Sequence, residues 1–317
     1  MREGELLDQI FSANALLPQR VTIPPGDDMG AVQWGERTLL VTVDQIVDGV
    51  HVDTAAMPLA KVGRKAVTRN LSDVAAMAAR PVAAVAAACL PRDFGAQRAE
   101  ALFEAMRDTA AQYDCPLIGG DIAMWDHPLV LSVTAFADPD GIDPVRRSGA
   151  KAGDAIYATG MLGGSLVRVG GRVHHLDFEP RIALARKLAR LDGVRIHCMI
   201  DLSDGLAKDV GHLCAQPGLC AEISAEALPV SDAAKQASAD SGQPAWMHAM
   251  GDGEDYELCF CVPEACAARL PAAIDGVAIT RIGEMVAPVD VDEIGVRVML
   301  ADGTVRTVEE LGWEHHG

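Results

Sequence analysis

An apolar run closes on two aspartates and a glycine in Met199-Ile200-Asp201-Leu202-Ser203-Asp204-Gly205-Leu206. Residues 196–200 have the composition of a short buried strand and residues 206–213 that of a helix start, so Asp201, Ser203 and Asp204 fall on the turn between them. Carboxylates so placed can hold a cation. Equally, Ser203 or Asp204 can cap the helix, because their oxygens accept the free N–H groups of its first turn. The stretch alone leaves both readings open.

The same grammar recurs along the chain. Residues 23–29 hold Gly26-Asp27-Asp28, a β-branched run over 38–43 ends at Asp44, Asn70-Leu71-Ser72-Asp73 repeats the Leu-Ser-Asp, and Leu117-Ile118-Gly119-Gly120 leads into Asp121. Carboxylates gathered at one end of a fold repel one another. A hard divalent cation, Mg²⁺ shared with a substrate phosphate, resolves that repulsion most economically.

The elements that must position these acids follow from periodicity. Residues 5–17 read as a short amphipathic helix, and residues 58–79 as a longer one with Leu59, Val62, Ala66, Asn70, Asp73 and Met77 along one side. Asp73 then shares a face with Asn70, or pairs with Arg69 at spacing four in a surface ion pair of little weight. Arg80-Pro81 stops the helix before a buried strand over 82–90. Residues 99–113 keep a helical period, and residues 116–119 and 129–137 read as strands. His51, in the loop Asp48-Gly49-Val50-His51, is by itself more often a solvated residue than a ligand. Residues 138–149 are rich in proline and glycine, which sets a domain boundary: 1–137 and 150–317. Beyond it, strands are expected at 155–159, 219–224, 257–262, 277–282 and 296–300, with a helix at 180–191. Gly160-Met161-Leu162-Gly163-Gly164-Ser165 lacks both the P-loop lysine and the G-x-G-x-x-G spacing, so it reads as a turn.

With 317 residues and 50% hydrophobic content, the chain can build two cores, and only 4% aromatic residues make those cores aliphatic and alanine-rich. A formal charge of -18 argues against nucleic acid or an anionic membrane as partner, while leaving phosphate ligands open through a metal. Residues 1–10 lack the pattern of a signal peptide and the longest apolar run, 82–90, is too short to span a bilayer, so the expectation is a soluble, cytoplasmic protein. The eight cysteines form no C-x-x-C pair and sit mostly in apolar runs, which favours reduced core thiols over a zinc site.

Gly26-Asp27-Asp28, Thr42-Val43-Asp44, Gly49-Val50-His51, Asn70-Leu71-Ser72-Asp73 through Met77, Ile118-Gly119-Gly120-Asp121, Arg147-Ser148-Gly149-Ala150, the stretch from Ile200 to Leu206 and Gly253-Glu254-Asp255-Tyr256-Glu257-Leu258 occur in that order. Together they resemble the thiamine-monophosphate kinase family of the aminoimidazole-ribonucleotide-synthetase-like superfamily, over nearly the whole chain. The resemblance implies an α/β (α+β) protein of two domains. The N-terminal domain would bind ATP and Mg²⁺ and pair its sheet across a homodimer, and the C-terminal α/β domain would close the cleft. It further implies Mg²⁺ positions at Asp28, Thr42, Val43, Asp44, Asp73, Asp121, Asp201 and Asp204, and ATP contacts at Gly120, Asp121, Arg147 and Ser203. Asp44, Asp73, Asp121 and Arg147 would form the catalytic set, with His51, Glu254 and Trp313 on the thiamine side.

Val43 stands where the family usually has threonine, Val52 and Ala78 replace its usual phenylalanine and glycine, and the segment 162–180 is short. The implied chemistry suits the acids. A phosphate monoester has a second pKa of about 6, so the attacking oxygen is already ionised and needs cations rather than a strong base. Another ATP-using member of the superfamily, such as aminoimidazole ribonucleotide synthetase, is the alternative, and two such members fit less well. No cysteine precedes Cys89, where a selenophosphate synthetase would carry a reactive one, and the chain ends Trp313-Glu314-His315-His316-Gly317 rather than in the cysteine of the hydrogenase maturation factor. A non-catalytic calcium-binding protein would cluster its acids within a dozen residues, whereas here they are spread along the chain.

Overall fold

The computed structural model describes residues 3–290, 293–308 and 310–313. Residues 314–317, on which the comparison of chain ends rested, lie outside them. The first half runs α1 (Glu3–Ser12), β1 (Val21–Ile23), β2 (Gly30–Trp34), β3 (Arg37–Val47), α2 (Leu59–Ala76), β4 (Arg80–Pro91), α3 (Ala96–Gln112), β5 (Leu117–Trp125) and β6 (Val130–Asp138). Its six strands form one sheet in the order β1-β2-β3-β6-β4-β5, in which only β4 and β5 are parallel. Alternation on β6 shows why one face is covered: Leu131, Val133, Ala135 and Ala137 are buried with Val62, Val67 and Leu71 of α2 and Leu102 and Met106 of α3. Gly63 lets the two helices touch, since a Cβ there would come within 2.5 Å of the Leu102 carbonyl oxygen. The edge strand β5 is exposed nearly throughout, Ile118, Ile122 and Met124 included.

The second half runs β7 (Asp154–Thr159), β8 (Arg168–Val169), β9 (Arg172–Val173), α4 (His174–Asp177), α5 (Ile182–Leu188), β10 (Cys198–Asp201), α6 (Leu206–Ala215) and β11 (Cys220–Ser224). It continues through α7 (Asp232–Ser241), α8 (Ala245–Gly251), β12 (Leu258–Pro263), α9 (Glu264–Ala267), β13 (Ala273–Ile274), β14 (Val277–Val286), β15 (Gly295–Met299) and β16 (Val305–Thr307). The larger sheet has the order β10-β12-β7-β14-β11-β15-β16, with β13 on β14. Strands β7 and β12 are buried on both faces, as their unbroken apolar runs require. On one side Cys198, Ile200, Cys259 and Cys261 pack under Leu206, Val210 and Leu213 of α6. On the other, Met199, Leu258 and Phe260 pack with Leu184 and Leu188 of α5 and with Ala75, Ala76 and Ala78 at the end of α2. The end of α2 therefore belongs to the core of the second half.

Ala78 closes α2 with a φ of 52°, and the Ala79 N–H returns to the Val74 carbonyl at 3.0 Å. This left-handed position costs an alanine roughly 1–2 kcal/mol relative to glycine, and burial of its methyl group, worth about 0.8 kcal/mol, offsets part of that. The helix expected at 180–191 is shorter, and β3 continues three residues past Asp44. All eight cysteines are free thiols. Among the described residues no helix is long and apolar enough to cross a membrane.

Candidate active site

Asp201 is the last residue of β10, Asp73 lies in the final turns of α2, and Asp28 sits in the loop between β1 and β2. One carboxylate oxygen from each lies within 4.8 Å of the others. The Ser72 hydroxyl donates to Asp201 Oδ2 at 2.7 Å, the Thr42 hydroxyl donates to Asp73 Oδ2, and Arg147 places Nη2 and Nε at 2.6 and 3.0 Å from Asp28 Oδ1. The Arg147 N–H donates to Asp27 Oδ1 at 3.1 Å. Burial, then the neighbouring acids, drive the Asp73 carboxyl well above its ordinary range; burial and then Asp28 raise Asp201 to about 7, and the same two causes raise Asp27 to about 6. Asp28 Oδ2 is buried without a hydrogen-bond partner. Three crowded oxygen donors, one of them orphaned, fit a hard divalent cation.

Thr42 and Asp44 share a face of β3 by its period of two, while Val43 points the other way and is 60% exposed. Val43 thus offers only a backbone carbonyl as a ligand. Arg69 does not pair with Asp73 in the manner of a surface helix pair: its Nη2 lies 3.5 Å from Asp44 Oδ1 and its Nη1 donates to the Gln45 carbonyl at 2.7 Å.

The turn before α6 is held by a residue that sequence reasoning missed. Neither Ser203 nor Asp204 caps the helix; the Asp209 carboxylate folds back and accepts the N–H groups of Asp204 and Gly205, both at 3.1 Å. Asp204 instead pairs with Lys208 at 2.7 Å, outside the three-carboxylate cluster, and its carbonyl accepts the Trp313 N–H at 2.8 Å. The turn at 160–165 is no phosphate cradle, because Gly163 and Gly164 spend their N–H groups on Asp255 and Asp252 at 2.9 and 2.8 Å.

Two pockets flank the acids. One, of about 410 Å³, is lined by His51, Ser203, Asp204, Glu254 and Trp313 together with Val50, Met57, Leu166 and Tyr256. Glu254 and Tyr256 are non-glycine residues with φ of 54° and 50°, and such strain is stored where the surroundings enforce a site. Hydrogen bonds from Glu254 N–H to the Ser203 carbonyl, 2.7 Å, and from Tyr256 N–H to the Leu202 carbonyl, 2.8 Å, fasten this turn to the strand-to-helix turn. Behind Glu254 stand Lys65 and His175, neither of them foreseen, with Lys65 Nζ at 2.6 Å from Oε1 and His175 Nδ1 at 3.0 Å from Oε2. The other pocket, about 480 Å³, opens beyond Asp27 and Arg147 between Phe11, Pro24, Pro25 and His212.

Gly120 and Asp121 do not join the cluster within one chain. Across the sheet Asp44 is in register with Val133, Ala86 and Gly120, so Gly120 is three strands away, about 14 Å at ordinary strand spacing. Asp121, the next residue, points to the opposite face. Gly120 also has a packing reason to be glycine: a Cβ would lie 2.0 Å from the Ala86 carbonyl oxygen. Gly120→Ala is therefore expected to lower stability by about 3 kcal/mol, read by urea denaturation. A variant of wild-type stability with weakened nucleotide binding would instead make Gly120 a ligand contact.

Residues 26–137 match the family described as AIR synthase related protein, N-terminal domain, and residues 151–294 match its C-terminal domain. The thiamine-monophosphate kinase of Rhodopirellula baltica is 38% identical over 292 residues, covering 90% of this chain and 89% of that one; the enzyme of the same name from Salmonella typhimurium is 35% identical over 309 residues, 92% and 90%. A solved structure described as AaThiL complexed with AMPPCP and TMP superposes with a TM-score of 0.81 at 27% identity, covering 99% of this chain and 97% of that one. By these matches the chain belongs to the thiamine-monophosphate kinases of the AIR synthase related family.

Proposed function

We propose that the protein transfers the γ-phosphoryl group of ATP to thiamine monophosphate, yielding thiamine diphosphate and ADP. The observation that carries this reading is the cluster of Asp28, Asp73 and Asp201, with Asp201 two residues before Ser203, which lines a pocket together with His51, Glu254 and Trp313. The names of the relatives, and the nucleotide analogue and TMP in the AaThiL complex, support it.

An oxygen of the acceptor phosphate bonds to the γ-phosphorus as the bond to the β–γ bridging oxygen breaks, and ADP departs with that oxygen. Asp28, Asp73 and Asp201 would hold Mg²⁺, with Thr42, Asp44 and the Val43 carbonyl beside them, and bound Mg²⁺ supplies neutralising charge for the two anions. Arg147 adds a fixed guanidinium beside the cluster, and Ser203 offers a hydroxyl from the turn that ends at α6. The second pocket, beyond Arg147, has the size and apolar rim for the nucleoside. On the acceptor side, the half-exposed Trp313 ring offers a face to a thiazolium cation, a contact of about 0.5–2 kcal/mol, and Glu254 a carboxylate.

The same reading takes the protein as a homodimer. A long, exposed apolar edge such as β5 is a template for pairing with another chain, and only a second copy could bring an Asp121 to the acids. An ADP-release assay with a panel of phosphate monoesters tests the activity: thiamine monophosphate is expected to be the acceptor, with thiamine diphosphate as product. Turnover of another monoester while thiamine monophosphate stays inert would reject the reading at the level of substrate.

A further inference from the structure

Lys65 has no solvent-exposed side-chain surface, which is rare for a lysine outside a charge pair. Its Nζ lies 2.6 Å from Glu254 Oε1, 3.0 Å from the His51 carbonyl oxygen and 2.8 Å from His175 Nδ1. The three partners come from three separate parts of the chain: the loop after β3, the short helix α4, and the turn before β12. All three also line the 410 Å³ pocket. An ammonium has three hydrogens and no lone pair; two of them go to Glu254 and the His51 carbonyl, while His175 Nδ1, which donates to Glu254 Oε2, stands beside the ammonium without accepting from it. Lys65 faces the back of the pocket wall.

We propose that Lys65 is a positioning residue for the acceptor: it aims the Glu254 carboxylate into the pocket, tying His51 and, through Glu254, His175 to the same wall. The proposal rests on the acceptor reading of this pocket given above. Lys65 and the Tyr256 hydroxyl occupy Oε1 and His175 donates to Oε2, which leaves a lone pair of Oε2 for a ligand in the pocket that Glu254 lines. Burial would raise the Glu254 carboxyl, but hydrogen bonding from His175 and the charge of Lys65 outweigh it and hold the group at about 2. Burial lowers Lys65 to about 8 against the pull of Glu254, so it is still protonated at neutral pH. The left-handed backbone of Glu254 supplies the need for such a tether.

A double-mutant cycle separates positioning from mere support. Lys65→Met is expected to raise KM for thiamine monophosphate about tenfold or more, with KM for ATP within about twofold. Glu254→Gln is made alone and together with Lys65→Met; the double variant also removes the unpaired buried charge that could unfold the single one. If Lys65 acts through Glu254, adding Lys65→Met to Glu254→Gln changes the acceptor KM by less than about twofold. A further rise of about fivefold or more in that background, or an equal rise in both substrates' KM in the single variant, would overturn the proposal. Should the wild type use a different monoester, the acceptor assignment fails by itself, and the same cycle read on that monoester's KM still decides the role of Lys65.

Discussion

Asp73→Asn should reduce turnover by about a thousandfold while leaving the cation-free protein as stable as the wild type, or more so. Asp73 lies against Asp28 and Asp201, and its carboxyl is already driven upward by burial and by the nearby acids. Removing its charge relieves repulsion, and an asparagine oxygen can still accept the Thr42 hydroxyl hydrogen. With Mg²⁺ and ATP the order reverses. Ligand binding stabilises by RT ln(1 + [L]/Kd), about 2.7 kcal/mol at a hundredfold excess, and a variant lacking one oxygen ligand forfeits much of that gain. Asp44→Asn should behave the same way to a lesser degree, because Asp44 shares its charge with Arg69. Thermal melts of the three proteins with and without Mg²⁺-ATP, beside their rates, provide the check. Wild-type ligand shifts and near-normal rates in both variants would reduce these aspartates to structural acids.

Without divalent cation, stability should fall as pH rises from about 4 to 7. The folded-state carboxyls of Asp27 and Asp201 are raised to about 6 and 7, and that of Asp73 lies well above its ordinary value. A group raised on folding contributes stability that is complete below its unfolded pKa, near 4, and lost as pH passes its folded value. Burial is the largest cause of all three and Asp28 the neighbour common to them, so their joint effect is on the order of 3 kcal/mol rather than a sum of separate shifts. Glu254 runs the other way, since its carboxyl is held down at about 2, but the stability it adds is complete above pH 5. Mg²⁺ binds the ionised acids, so it should flatten or reverse the slope. Urea midpoints from pH 4.5 to 7.5 in chelator and in Mg²⁺ would show this. A chelator profile that does not fall, or one that Asp201→Asn leaves unchanged, would mean that the acids do not repel in solution.

Periodicity in the sequence marked α2, β10, α6 and most of the central strands, because each carries its own apolar pattern. It also put Asp201 and Asp28 beside turns, where they are. Asp44 was placed at a strand end because a charged residue interrupts the apolar run, yet the strand continues, and Arg69 of α2 stands against the side chain at 3.5 Å. Lys65 and His175 were missed for a related reason. Composition treats a lysine as a solvated residue, and only a partner distant in sequence, here Glu254, makes its burial tolerable. The spacing of four in Lys65, Arg69 and Asp73 was the available signal, a polar stripe on the helix that faces the second half. Asp209 lies inside a helix, so no turn pattern announced that it would fold back. Asp121 reads as an acid after a strand ending at 119, but it lies within β5, at the sheet edge and three strands from β3, which no local pattern announces.

The insertion of the end of α2 into the second core has a consequence for synthesis. Ala75, Ala76 and Ala78 leave the ribosome well before Leu258, Phe260 and Val262, which cover them. At about 5–20 residues per second, that interval is roughly ten to forty seconds. Throughout it the nascent chain presents an apolar helix end with no surface to meet, and Ser72 and Asp73 wait for most of that time without Asp201. The first half can form its own sheet and helices during that interval, but its folding is completed only late in translation. A ribosome-associated chaperone has its best opportunity at this helix end, and a pause in translation between the two halves prolongs the exposure.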